Sequence, residues 1–565
     1  LFEIKAYQIK RDLLFEWFKA KKFILFPLLT LGTVFLVYQV YSIKVHTWES
    51  YYYAGSINHF IPVSDMAPPG HNLSLPYNDL ICIYYTQHPM LYFMVYFIHN
   101  CLFSGINPLF ITQYINIILG ILGLLGIYLI LKKIFNDTKL SCQGVLLISC
   151  LDVYWYQSLS AEVYIGAFSF LSLSMYALLV RNDKNIKNTS FICMCICFGI
   201  AFCFHLYALF FGFVIAVDII KRSRNLIFCF RQLLVLISIS AIFFLSAYVI
   251  PYFLLTSISN FSELNTLLFI HSKIWGIWQI PEYLMPVEIL YSIGIGFKHV
   301  LYAVVSGNNF LSNLTRFLFG LLIFIHIIGY IIKPDKNRVS DLCLIWLGVY
   351  FITLTSLIHV PSVNDNWCLC IFPLILFLMY RYRYQLKTQK GKLALWAIIG
   401  FLFFINGTTD IFPKTKVSEK QFFIARDLKN NLANYSKILF MGNHNILTQA
   451  WFIFYQKDFN SPCLSYLHPP YEYPSVPQYQ KDLLQRVSSV LEDHKALLLL
   501  SSENSQSIRL TINLLRSSGY SIQPVFQKDL TIDPKTYKVS LGIIKKQIQL
   551  RYVAYRITKS NGIKH

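Results

Sequence analysis

Residues 110–133 read FITQYINIILGILGLLGIYLILKK, an apolar run that carries no charge until Lys132 and Lys133 close it. A helix of that length is about 36 Å long, enough to cross the hydrocarbon core of a bilayer. Ten more apolar runs have the same character, centred on 23–43, 143–158, 163–180, 190–203, 206–220, 230–253, 311–332, 340–359, 366–380 and 393–409. The stretch from Phe191 to Ile220 is too long for one crossing and is divided at Cys203 to His205, where a polar residue interrupts it. The expectation is a multi-pass α-helical membrane protein with about eleven transmembrane helices.

Composition agrees with that expectation. The 565 residues are 55% hydrophobic, 17% aromatic and only 14% charged, more apolar surface than a water-facing globule of this length can bury. The net charge of +21 falls in short clusters between apolar runs rather than in one patch, so no nucleic-acid partner is expected. The thirteen cysteines show no ligand spacing, and Cys193, Cys195, Cys197 and Cys203 lie inside apolar stretches, where a thiol acts as a small hydrophobe. No cleavable signal peptide is expected, because the first apolar run is long enough to span and lacks a small-residue cleavage site.

Lys and Arg then set an expected orientation, because positive charge is retained in the cytoplasm. Residues 1–22 carry six, 132–139 three, 181–187 three, 221–224 three, 333–338 three and 381–392 five. The opposite connections hold only Lys44, Lys273 and Lys298. This predicts a cytoplasmic N-terminal segment over 1–22, a membrane domain over 23–410 with outer loops at 44–108 and 254–299, and an external or periplasmic domain over 411–565. Strand-like runs at Ile438–Met441, Ala496–Leu500, Tyr520–Phe526 and Val539–Ile544, alternating with helical patterns at 446–457 and 505–516, give that last domain an α/β reading. A bacterial inner membrane is the expected location.

Chemistry-bearing residues gather where the spans meet the outer loops. The first loop opens His46-Thr-Trp-Glu49-Ser-Tyr-Tyr-Tyr-Ala-Gly55, placing a carboxylate a few residues beyond a span, at the level of a lipid head group. Gln87-His88-Pro-Met-Leu-Tyr92 opens the next helix, and Trp155-Tyr-Gln-Ser-Leu-Ser-Ala-Glu162-Val-Tyr164 sets a second acid at the outer end of a span, with Asp152 deeper in the same segment. Taken singly, Glu49 reads as a solvated loop carboxylate, His88 and His205 as hydrogen-bonded structural histidines, and Arg316 as a side chain reaching for lipid head groups.

Taken in order, an acid after the first span, a His-Pro-x-x-Tyr turn and a Glu-Val-Tyr segment resemble the protein O-mannosyltransferase-like branch of the GT-C membrane glycosyltransferases. Gly199-Ile-Ala-Phe-Cys-Phe-His205-Leu is similar to that branch's Gly-Leu-x-x-Gly-x-His segment, with Cys203 and Phe204 in place of small residues. The resemblance covers roughly residues 23–220 and implies sugar transfer from a polyprenyl-phosphate donor, in contact with membrane lipid, to an acceptor on the outer face. The acceptor class, whether protein, lipid or glycan, is left open. It implies Glu49 as general base. Glu162, the second candidate catalytic acid, is placed to orient the donor, to hold a metal with His46 or Glu49, or to pair with a cation, and His46, His88, Tyr92, Asp152 and His205 are candidates for contacting substrate. Because a phosphate leaving group needs cations on the outer side, Arg316, Lys273 and Lys298 are the candidates to meet it. Many relatives carry another acid three residues before the first, where this chain has His46; that departure counts against the usual acidic pair and a metal held by it, and a divalent metal is left open. Two other classes remain: a transporter or flippase for lipid-linked glycans, which would thread polar residues through the whole membrane depth, and a catalytically silent envelope assembly protein.

Overall fold

The computed structural model describes residues 25–43, 89–161, 163–181, 189–223, 225–250, 286–334, 337–356, 368–415, 437–441, 463–467, 470, 475–493, 497–501, 505–532 and 548–559. The chain divides into two compact units. The first comprises Leu1–Ile43, Gln113–Ala247 and Gly276–Thr415. Its described part is helical: α1 (Leu25–Val40), then, after α2 (Pro89–Leu102) of the second unit, α3 (Pro108–Phe135), α4 (Thr138–Ser149), α5 (Asp152–Leu159), α6 (Tyr164–Val180) and α7 (Thr189–Phe204). A 3₁₀ turn (Leu206–Phe210) leads into α8 (Phe211–Arg222), followed by α9 (Leu226–Phe244), α10 (Pro286–Val304), α11 (Phe310–Ile332), α12 (Arg338–Ser356), α13 (Cys368–Arg381), α14 (Arg383–Lys387) and α15 (Gln389–Asn406).

Among the described residues four helices are long and apolar enough to cross a membrane, at Pro108–Phe135, Leu226–Val249, Phe310–Ile332 and Gln389–Lys414. The pair α5 and α6, bent by 117°, makes a fifth if it is one span. The remaining apolar runs are helical but shorter. The run 143–158 is not one helix: it stops at Ser149 and restarts at Asp152. The division made at His205 coincides with a break in the structure, where α7 gives way to the 3₁₀ turn.

Side-chain size explains the closest packing. Gly120, Gly123 and Gly126 repeat every third residue on α3, and a β-carbon at any of them would press on Ser158, on Ser169 and Tyr154, or on Ser172. The serines use that proximity: Ser169 Oγ donates to Leu119 O, and Ser172 Oγ donates to Gly123 O at 3.1 Å, while Tyr154 Oη donates to Gly120 O at 2.6 Å. Small residues here let two backbones approach, and the hydroxyls bond carbonyls where no water is available.

The turn after α3 is equally local in origin. Asn136 takes a left-handed φ of 50°, which ends the helix, and Asp137 then caps α4 by accepting from the Leu140 N–H at 3.1 Å. The second Asp137 oxygen takes Lys392 Nζ at 2.6 Å, tying this turn to the start of α15. Burial pushes the Asp137 carboxyl up, but the Lys392 and Leu140 bonds outweigh it and hold it below its ordinary value.

In the second unit, β1 (Lys437–Met441), β2 (Cys463–Leu467), α16 (Val476–Asp493), β3 (Leu497–Ser501), α17 (Ser505–Ser517), β4 (Tyr520–Ile532) and β5 (Ile548–Lys559) build a five-stranded sheet of order β2-β1-β3-β5-β4. The first three strands are parallel, and β5 pairs antiparallel with both β3 and β4. Leu439, Met441, Leu499, Val553 and Ile557 pack against Tyr479, Leu483, Val487 and Leu491 of α16 and Ile508, Ile512 and Leu515 of α17. Those helical positions recur every three or four residues, the spacing of one buried stripe. Gly519, with φ of 84°, turns the chain out of α17 into β4. The sequence-level helix at 446–457 and strand at 539–544 lie outside the described residues.

Candidate functional site

The helical unit gathers polar groups at the end where α10 and α15 finish and α11 begins. Arg316 sits two turns into α11 and is only 5% exposed. Its Nη2 donates to Gly307 O and, at 2.7 Å, to Asn313 Oδ1. Its guanidinium carbon lies 3.6 Å from the centre of the Tyr302 ring, a cation–π contact from the last turn of α10, and Tyr302 Oη donates to Asn308 Oδ1. Nη1 is buried and makes no hydrogen bond within the described residues. One turn back on the same face, Ser312 Oγ is also buried without a hydrogen-bond partner there.

The start of α11 adds to this arrangement. Asn309 caps the helix by accepting from the Ser312 N–H at 2.7 Å, and the positive end of the helix dipole points to the same side. A buried cation, a hydroxyl and a helix N-terminus together suit an anion.

Asp152, half-buried in the first turn of α5, lies within electrostatic reach of Arg316. Among the described residues no ion pair joins Arg316 to it, and Arg316 Nη2 bonds Gly307 O and Asn313 Oδ1 instead. Aromatic packing fixes α5. Trp155, one turn beyond Asp152, stacks on Phe403 at 5.1 Å and on Tyr38 at 6.3 Å, and meets Tyr41 and Phe412 edge-on. Tyr38 Oη donates to Ser149 O at 2.9 Å, satisfying a carbonyl at the end of α4.

The other expected site residues are placed as follows. His205 is 1% exposed and caps the 3₁₀ turn: its Nδ1 accepts from the Tyr207 N–H at 3.1 Å, so the ring hydrogen sits on Nε2. Its ring stacks on Tyr164 at 4.6 Å. Tyr92 is buried in α2, in the second unit. His46, Glu49, His88 and Glu162 lie outside the described residues. Among the described residues no group of three His, Cys, Asp or Glu stands close enough to hold a metal.

Three groups at this end went unread in the sequence. Asn406, at the end of α15, is fully buried and donates to Cys150 O and Val304 O, both at 2.9 Å. Tyr302 seats Arg316. Lys414 pairs with Asp410 at 2.8 Å and lies 3.9 Å from the centre of the Tyr156 ring, so a second cation stands close to α5. An amide inside an apolar span was the available signal, because a buried amide needs bonding partners.

The chain's fold is similar to the crystal structure of ArnT from Cupriavidus metallidurans bound to undecaprenyl phosphate, with a TM-score of 0.55 over 95% of this chain and 98% of that one, at 12% identity. It is also similar, at a TM-score of 0.44 and 10% identity, to the archaeal oligosaccharyltransferase AglB from Archaeoglobus fulgidus in complex with an inhibitory peptide and a dolichol-phosphate, covering 86% of this chain and 70% of that one. No curated protein matches the chain. Residues 66–227 match the family model described as the protein O-mannosyl-transferase TMEM260 N-terminal domain.

Proposed function

We propose that the protein transfers a sugar from a polyprenyl-phosphate-linked donor to an acceptor hydroxyl on the outer face of the membrane. The observation that carries this reading is Arg316: a buried guanidinium whose Nη1 has no hydrogen bond among the described residues, beside Ser312 Oγ and the α11 N-terminus, near Asp152. A cation so placed binds a lipid phosphate and stabilises it as it leaves. The acceptor oxygen attacks the anomeric carbon while the bond from that carbon to the phosphate oxygen breaks, and the lipid phosphate departs as an anion. Because that leaving group needs no proton, the chemistry turns on removing one from the acceptor.

Glu49 is the general base in this account, on its place after the first span and its match to the family's acidic position. Glu162, which follows α5, supports the donor or the acceptor, and His46, His88, Tyr92 and His205 line or brace the site. The spans number about eleven, with the N-terminal segment in the cytoplasm of a bacterial inner membrane and residues 411–565 outside. The test is direct: incubate the purified protein with a panel of polyprenyl-phosphate sugars and an acceptor extract, and measure free polyprenyl phosphate. Release with one sugar supports the reading; no release with any sugar, from folded protein that binds the lipid phosphate, removes it.

A further inference from the structure

We propose that Asn406 is a positioning residue that sets the spacing between Asp152 and Arg316, an inference that rests on Arg316 holding the donor phosphate. Asn406 is the last residue of α15 before the π-helical turn Gly407–Ile411, and it is 0% exposed. Its Nδ2 donates to Cys150 O and to Val304 O, both at 2.9 Å, and its Oδ1 accepts from the Ser306 N–H at 3.1 Å. Each contact lands on a break in a helix. Cys150 lies in the gap between α4 and α5, two residues before Asp152, and Val304 and Ser306 flank the end of α10, just before Gly307.

The chain of contacts runs through to both charges. On one side, Cys150 O is held by the amide and Leu151 leads directly into Asp152. On the other, Ser306 is held at its N–H by Asn406 and at its hydroxyl by Thr409 Oγ1 at 2.9 Å, and the next carbonyl, Gly307 O, accepts from Arg316 Nη2. Gly307 adopts φ of +85° and has Thr409 and Ser312 close around it, so this link has little freedom to drift.

Only a primary amide supplies two donors and an acceptor from one short side chain. A carboxylate would face two carbonyls with no hydrogen to give, and an apolar residue would leave two buried carbonyls and an N–H unsatisfied. The spacing has a chemical purpose. Were Arg316 and Asp152 to close into a direct ion pair, the guanidinium would lose the free edge that an incoming phosphate needs. Held apart but within electrostatic reach, the two charges leave that edge open. Asn406 touches neither the phosphate nor the sugar and acts through the backbone that carries Gly307 and Asp152.

A double-mutant cycle on the full-length protein in detergent tests this, with undecaprenyl phosphate as the probe and affinity as the readout. Arg316→Ala should weaken binding, and Asn406→Ala should weaken it by roughly tenfold in the wild-type background but by less than about twofold when Arg316 is already Ala, since a group acting through another has no effect once that partner is gone. Thr409→Val, a milder change on the same link, should weaken binding by about threefold with the same dependence on Arg316, and it serves where Asn406→Ala does not fold. Equal weakening by Asn406→Ala and by Thr409→Val in both backgrounds makes the role merely structural and overturns the proposal, as does undiminished binding by folded Asn406→Ala. Undiminished binding by Arg316→Ala is a separate failure: it removes Arg316 from the phosphate site and takes the positioning role with it.

Discussion

Replacing Asp218 by Asn isolates one charge at the end of the helical unit opposite Arg316. Asp218, 3% exposed near the end of α8, receives Arg338 Nη2 at 2.7 Å, Arg222 Nε at 3.2 Å and Arg181 Nη2 at 3.2 Å. One carboxylate thus joins α6, α8 and α12, and Arg338 Nη2 also donates to Leu178 O. The amide keeps the shape but removes the charge and turns two N–H donors towards guanidinium groups. Arg181 is 1% exposed and Arg338 15%, so both lose a buried counter-charge, whereas Arg222 at 36% is rescued in part by solvent. Breaking a buried pair from one side costs about 3–5 kcal/mol, and with the Arg222 share discounted the expected loss is roughly 2–4 kcal/mol. In a thermal melt of the detergent-solubilised protein that corresponds to a midpoint lower by roughly 2–6 °C. The loss should persist at high salt, because the pair is shielded from bulk ions. Adding Arg338→Leu to Asp218→Asn should recover part of it by removing one uncompensated cation. A midpoint within about 1 °C of wild type would refute the reasoning, showing that other groups balance the three arginines.

At the opposite end, Arg316→Ala should weaken undecaprenyl phosphate binding by on the order of 10- to 100-fold. Arg316→Lys should recover only part of this, because a lysine keeps the charge but cannot both bond Gly307 O and Asn313 and keep a donor for phosphate; equal affinity in all three proteins would exclude the site. Asp137, held below its ordinary value by Lys392, contributes stability that is fully present above the unfolded-state carboxyl range of about pH 4 and is lost as pH falls through the lower folded value. Asp137→Asn should therefore cost roughly 0.5–1 kcal/mol at pH 7, seen as a small fall in melting midpoint, and the gap from wild type should close only below about pH 4. A reporter fused after residue 415 should be external and one inserted near Lys387 cytoplasmic; the reverse result would overturn the orientation.

Much of the helical architecture is legible because its cause is local. Apolar length and the Lys/Arg clusters that end each run are visible residue by residue, and His205 marks a real break because a polar ring in an apolar run has to find a partner. The interruption of 143–158 at Cys150 and Leu151 was not visible, since both residues are apolar and the break is held by Asn406, 256 positions away. In the sheet unit, the runs at 438–441, 496–500 and 520–526 coincide with strands, whereas β2 and β5 went unread: Cys463–Leu467 is short and mixed, and Ile548–Lys559 alternates charged with apolar residues along a strand whose pairing with β4 supplies its order. At the site, Arg316 stood out as a cation in an apolar span. Tyr302 and Ser312 did not, because their meaning comes from the turn that brings α10 back onto α11.

Glu49→Gln carries the central claim. Glutamine keeps the size and much of the hydrogen bonding of the carboxylate but cannot take a proton at neutral pH. At saturating donor, the turnover of the folded variant should fall by roughly 100-fold or more while its affinity for undecaprenyl phosphate stays close to wild type. Wild-type turnover by the folded Glu49→Gln protein would contradict the account and move the base to Glu162 or Asp152.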